Sequence, residues 1–279
     1  MEHIALPSKI EITSNKEVAN EAKISIQPCH PGYGITLGNA LRRVILSSLP
    51  GSAIIAFKIK GASHEFTTVD NVKEDVVEIS LNLKQLRFIC HSDQPVRVTL
   101  KTKGQKVATA GDIEKNSEVE VVDPSQVIAT LTDKNAELEM DFIIQKGRGY
   151  APVETMDKEN LEVGMIAIDA IFTPIKNVAF TTENVRVGDI TNYENLILTV
   201  ETDGSISPAD SLKQATEILL DHFNFINQNV DGKSLGQATS NGKIDEEIEM
   251  TEIEDNEEQQ SDEEEKPKRR GRPKKEEKE

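Results

Sequence analysis

Residues 34–51 read GITLGNALRRVILSSLPG, and the spacing predicts one helix with a signal at each end. Thr36 is placed to cap the start, because its hydroxyl can accept a backbone N–H that has no partner inside the helix. Pro50 and Gly51 are placed to end it, which gives a helix over 36–49. At about 100° per residue, Leu37, Ala40, Leu41, Val44, Ile45 and Ser48 share one face, the spacing of a core-facing helix. Asn39, Arg43 and Leu46 stack on the opposite face. A large apolar residue beside an arginine, turned away from the core stripe, reads either as a second contact surface or as a solvated face with one stray leucine. Spacing alone does not choose between the two.

Upstream of this helix, Lys9–Thr13 and Lys23–Gln27 alternate as strands, with Ile10, Ile12, Ile24 and Ile26 on one side. Pro28 and Pro31 are expected to break the run, and Pro31-Gly32-Tyr33-Gly34 to turn into the helix. A glycine-rich loop before a helix can hold phosphate on its free N–H groups. The spacing is not the dinucleotide fingerprint and no P-loop lysine follows, so a tight structural turn is the other reading. Downstream, Ser52–Lys60 reads as a strand, Asp70 to Leu83 as a helix buried through Val72, Val76, Ile79 and Leu83, and Gln94–Thr102, Ser117–Val122 and Ala136–Gln145 as strands. Closely spaced strands point to an antiparallel β-rich subdomain over 51–176. The loop Lys146-Gly-Arg-Gly-Tyr150 leaves two options open: phosphate binding, or a turn whose Arg148 and Tyr150 pair with neighbours while its glycines admit another strand.

Ile166–Phe172, Lys176–Arg186 and Leu196–Thr202 continue as strands, and a second strong helix follows over 207–227. Ser207 is a good N-cap, Pro208 suits the first helical position, and Asp210 lies three after the cap. Leu212, Ala215, Leu219, His222, Phe223 and Ile226 form its main stripe, flanked by Leu220 on one side and by Ile218 and Phe225 on the other. So wide an apolar arc predicts burial on more than one side. A self-complementary helix pair in a two-fold dimer supplies the second side, with Leu37, Leu41, Val44, Leu219, Phe223 and Ile226 at the interface. His222 reads as a packed, hydrogen-bonded core residue.

The chain has 279 residues, 37% hydrophobic and 29% charged, with a net charge of −17. That balance argues against coating of duplex DNA by the whole chain. Two cysteines, Cys29 and Cys90, make neither a disulfide framework nor a zinc site, which fits a reducing cytoplasm. The N-terminus does not read as a signal peptide. No apolar run approaches the roughly 18–20 residues of a membrane helix, so no membrane partner is expected. There is no G-x-S-x-G or H-E-x-x-H motif and no acidic triad for paired magnesium ions. No catalytic residue, metal ligand or cofactor site is therefore expected on this chain.

LGNALRR with its following apolar turn and Ser-Ser-x-Pro-Gly resembles the first helix of the α subunit of bacterial RNA polymerase. HEF (His64 to Phe66), LNLK (Leu81 to Lys84), KGRGY (Lys146 to Tyr150) and DAIFTPIKNV (Asp169 to Val178) occur in that family's order and spacing. The resemblance covers roughly residues 1–230. It implies an α+β fold: a discontinuous dimerisation subdomain of two main helices on an antiparallel sheet (1–50 and 177–230), with an inserted β-rich subdomain (51–176) that contacts the large subunits. It further implies a homodimer that scaffolds the β and β′ catalytic subunits, with ω and σ joining in the holoenzyme. Arg43 and Leu46, with Asn39 beside them, match positions contacting β, and Lys84, Ile168 and Ile175 match positions implicated in contact with β′.

From Asp231 the hydrophobic periodicity stops. Residues 245–265 hold 13 acidic residues and no basic ones, so 231–279 is expected to be a disordered tail. Residues 266–275, KPKRRGRPKK, carry seven basic residues in ten. The resemblance departs here, since the family's small DNA-binding C-terminal domain has no counterpart in these residues. RGRPKK resembles an AT-hook, with Arg270, Gly271, Arg272, Pro273 and Lys274 as candidate contacts to an A/T minor groove. A charged low-complexity tail is the plainer reading. The expectation is thus a polymerase α subunit acting in assembly, against a freestanding dimeric DNA-binding protein that uses the basic tail.

Overall fold

A computed structural model describes residues 4–15, 20–62, 64–155 and 162–230. The first part of the chain runs β1 (Lys9–Ser14), β2 (Glu21–Cys29), α1 (Tyr33–Ser47) and β3 (Pro50–Ile59). Then come α2 (Val76–Gln85), β4 (Phe88–Cys90), β5 (Val96–Lys103), β6 (Val107–Thr109), β7 (Val119–Val121), β8 (Val127–Thr130) and β9 (Glu137–Arg148). The chain continues through β10 (Tyr150–Ala151), β11 (Ile166–Ala167), β12 (Ala170–Ile171), β13 (Ile175–Val187), β14 (Ile190–Thr202) and α3 (Pro208–Asn229). The class is α+β, with antiparallel sheets.

One four-stranded sheet has the order β1-β2-β14-β13, so the chain's first strands pair with its last ones. Ile26 lies opposite Leu196, Ile24 opposite Leu198, and Val200 opposite Val178. These side chains face α1 and α3 and form one core with Leu41, Ile45 and Ala215. A second sheet, β11-β3-β9-β5, carries a separate core with α2, in which Val76, Ile79 and Leu83 pack among Phe57, Phe142 and Leu100. Burial of such side chains, at about 25 cal/mol per Å², is the main favourable term in holding each sheet to its helices. Arg87 crosses between the two regions to pair with the buried carboxylate of Asp203, Nε to Oδ2 3.4 Å.

Several boundaries differ from the sequence expectation, each for a local reason. Helix α1 begins at Tyr33, its N-cap is Gly32 at φ 84°, and Thr36 lies inside the helix with its hydroxyl donating back to Gly32 O. Pro50 and Gly51 open β3 rather than a loop. A Cβ on Gly51 would sit 1.8 Å from the carbonyl oxygen of Phe172, so this position is reserved for glycine by a backbone approach. Pro28 does not end β2. It lies where Cys29 and Ile26 pair with Glu194 and Leu196, a bulge in which its missing N–H is tolerated. Helix α2 starts only at Val76, capped by Asp75, whose carboxylate accepts from Glu78 N at 2.7 Å. The preceding residues form a loop pinned to β8 through Glu74 and Thr130 N.

Candidate assembly surfaces

The buried line of α1 is Gly34, Gly38, Leu41 and Ile45. It is rotated from the predicted stripe toward Arg42 and Leu46, which leaves Leu37, Ala40 and Val44 on a half-buried flank. The reason lies in the two glycines. A Cβ on Gly38 would meet the ring of Phe180 at 2.5 Å, and one on Gly34 would meet Oε2 of Glu194 at 2.6 Å and the Thr182 methyl at 2.9 Å. The helix therefore sinks onto β13 and β14 along its glycine edge. Leu46 follows it inward and packs against the core, which corrects its assignment to the outward face. Asn39 and Arg43 remain exposed on the side away from the sheet.

Two polar ties hold α1 in this position, and neither was read from the sequence. The carboxylate of Glu194 on β14 accepts from Gly32 N and Gly34 N, both at 2.9 Å. The glycine-rich loop thus has these two N–H groups engaged within the chain, which favours the structural turn over phosphate binding there. Farther along, Arg42 Nε donates to the carbonyl of Val178 at 3.1 Å.

Helix α3 has the expected Ser207 cap, which accepts from Asp210 N at 3.1 Å, and Pro208 in its first turn. It packs on α1 and the sheet through Ser211, Ala215 and the half-buried Leu212, Ile218 and Leu219. Beyond Leu219 it leaves the sheet. Phe223 is 58% exposed and Ile226 55%, beside exposed Leu220 and Phe225. Of the six residues expected at a dimer interface, Leu41 is committed to the chain's own core, Leu37, Val44 and Leu219 are half-buried, and Phe223 and Ile226 are exposed. His222 is likewise exposed rather than packed, with its Nδ1 2.7 Å from Ile218 O.

On the other sheet, Lys84 at the end of α2 pairs with Asp169, Nζ to Oδ2 2.9 Å, and both side chains are half-buried. Asp169 also accepts from Val153 N at 3.0 Å, and the Tyr150 hydroxyl lies close enough to influence its titration. Lys84, followed by the Val153 N–H, holds the Asp169 carboxyl below its ordinary pKa, while desolvation and then Asp169 push the Tyr150 phenol up. The KGRGY segment is not a loop as expected: Lys146–Arg148 finish β9 against β3, Tyr150 opens β10, and only Gly149, at φ 66°, turns between them. Gly147 lets the Phe172 ring approach within 2.7 Å of where its Cβ would lie. Ile168 and Ile175 are buried in the two separate cores. Neither presents a side chain for docking, so the surface around Lys84 is built instead by Asp169, Tyr150 and the exposed Val77 and Leu81 of α2.

The RNA polymerase Rpb3/RpoA insert domain matches residues 57–173. The chain is 43% identical to DNA-directed RNA polymerase subunit alpha of Chloroherpeton thalassium over 255 residues, which cover 91% of this chain and 75% of that protein. It is 41% identical to the subunit alpha of Alkaliphilus oremlandii, over 87% of this chain and 77% of that one. The chain belongs to the DNA-directed RNA polymerase α-subunit family. The α subunit of Chlorobium phaeobacteroides is 48% identical over 219 residues, 78% of this chain and 67% of its own.

In this member of the α-subunit family, the insert-domain match contains Lys84, Tyr150, Ile168 and Asp169, whereas α1, α3 and Ile175 lie outside it. Among the described residues no three His, Cys, Asp or Glu side chains are grouped to hold a metal ion. No described helix is long and apolar enough to cross a membrane. Cys29 and Cys90 are free and buried, and burial raises the Cys29 thiol pKa. The RGRPKK segment, from Arg270 to Lys275, and the rest of the expected tail lie outside the described residues.

Proposed function

We propose that this chain serves RNA polymerase as its assembly scaffold, in the cytoplasm, and contributes no catalytic residue. Two copies associate through α3 and the adjoining flank of α1. The 1–50 and 177–230 segments act as the dimerisation part and 51–176 as an insert that meets the large subunits. The outward face of α1 with Asn39 and Arg43, flanked by Leu46, receives the β subunit. The surface around Lys84 receives β′, with Ile168 in the core beneath it and Ile175 in the core of the other sheet, and ω and σ complete the holoenzyme. The basic 266–275 segment adds contact with A/T-rich DNA through Arg270, Gly271, Arg272, Pro273 and Lys274.

One observation carries the dimer: α3 runs on past its own sheet with Phe223 and Ile226 more than half exposed. Contiguous apolar surface of this kind is normally covered by a partner, and a helix face repeated in an identical copy can cover itself. The test is light scattering of the full chain followed by capture of purified β. The expected result is a dimer, a monomer when Phe223 and Ile226 are both changed to Ser, and for Arg43→Ala an intact dimer with weakened β capture. A wild-type monomer would refute the dimer reading, and undiminished capture by Arg43→Ala would refute the docking face.

A further inference from the structure

We propose that Glu194 is a positioning residue for α1, setting the height and rotation at which the helix offers Asn39 and Arg43 to its partner. The inference rests on the reading of that face as a docking surface. Helix α1 has no acidic residue in its first turn and no side-chain cap of its own. Its positive end is instead met from β14, about 160 residues later in the chain, by both oxygens of one carboxylate. Oε1 takes Gly32 N and Oε2 takes Gly34 N, each at 2.9 Å. Charge-assisted bonds of this kind are stronger than neutral ones, and the pair fixes orientation as well as distance.

The surroundings are shaped for this contact. Gly32 has φ 84°, a region that L side chains avoid, and Gly34 has no room for a Cβ because Oε2 and the Thr182 methyl already occupy the space. Glu194 sits where the pairing of β14 with β2 shifts register, and a bulge re-aims the side chain it carries. The His30 ring lies edge-on to Tyr33 at 5.8 Å and to Tyr193 at 6.2 Å, bridging the loop to the residue before Glu194. The Arg42 bond to Val178 O ties the helix again two turns on. A helix held at both places cannot roll, so the direction of Asn39 and Arg43 is set by the hairpin of β13 and β14.

The test uses the full chain as Glu194→Ala, Glu194→Gln, Arg43→Ala and the Glu194→Ala/Arg43→Ala pair, with capture of purified β and amide exchange as readouts. Glu194→Ala should speed exchange at Gly32 and Gly34 and weaken β capture by about tenfold, the equivalent of one charge-assisted bond. Glu194→Gln, which keeps an acceptor and the side-chain volume, should lose less. In the Arg43→Ala background the Glu194 change should cost little more, since its effect runs through the presented arginine. Equal losses in both backgrounds would reduce Glu194 to general stability, and unchanged capture by Glu194→Ala and Glu194→Gln would overturn the positioning role. If Arg43→Ala alone leaves capture intact, the docking face is what fails, and exchange at Gly32 and Gly34 still reports whether the clamp exists.

Discussion

Gly38→Ala sets two physical effects against each other. Alanine is favoured over glycine inside a helix by about 1 kcal/mol, so at a solvent-facing position the change would stabilise α1. Here the new Cβ would lie 2.5, 2.8 and 2.9 Å from Cδ2, Cε2 and Cγ of Phe180. Carbon atoms settle at roughly 3.5–4.0 Å. The inner ring atom Cγ is among the three, so a small tilt of the ring tip does not relieve the contact. Either α1 lifts off β13 or Phe180 gives up its place, and overpacking of this kind costs about 1–3 kcal/mol. The difference is a net loss of up to about 2 kcal/mol. At roughly 2–4 °C per kcal/mol for a chain of this size, Tm should fall by several degrees at fixed protomer concentration. Phe180→Leu in the same chain should recover part of the loss, seen as a favourable coupling in the double-mutant cycle. A rise in Tm for Gly38→Ala alone would refute the close packing of α1 on the sheet.

Two further outcomes follow from the cores and the ion pair. Ile45 is fully buried between α1 and the first sheet, so Ile45→Ala should cost about 2–5 kcal/mol in denaturant unfolding, and a midpoint within error of wild type would exclude that core. Because Lys84 and the Val153 N–H hold the Asp169 carboxyl low in the folded chain, their contribution is present above the ordinary carboxyl pKa of about 3.9 and is lost as pH falls through the depressed value. Lys84→Met should move the Asp169 titration, followed by carboxyl NMR, back toward the ordinary value, and an unmoved titration would contradict the pairing.

The α1 stretch shows what could and could not be read from the sequence. Its existence as a helix was legible from apolar spacing, and so were the α3 cap at Ser207 and the alternation of β2, because these depend on neighbours a few residues apart. The rotation of α1 was not legible from hydrophobic residues. Glycine contributes nothing to an apolar stripe, yet Gly34 and Gly38 mark the line of closest approach, and Leu46 was misplaced as a result. Their i, i+4 spacing was the one available signal. Glu194 left no local signal, since a carboxylate in a β-hairpin looks like any solvated acid until the fold brings the start of α1 to it. Ile168 and Ile175 err in a different way. The resemblance names Ile168, but in the link between β11 and β12 the neighbouring Asp169 meets Lys84 while Ile168 turns into the core. A family motif marks where a surface lies along the chain. Which side chains form that surface is decided by the pairing and close approach of segments far apart in sequence.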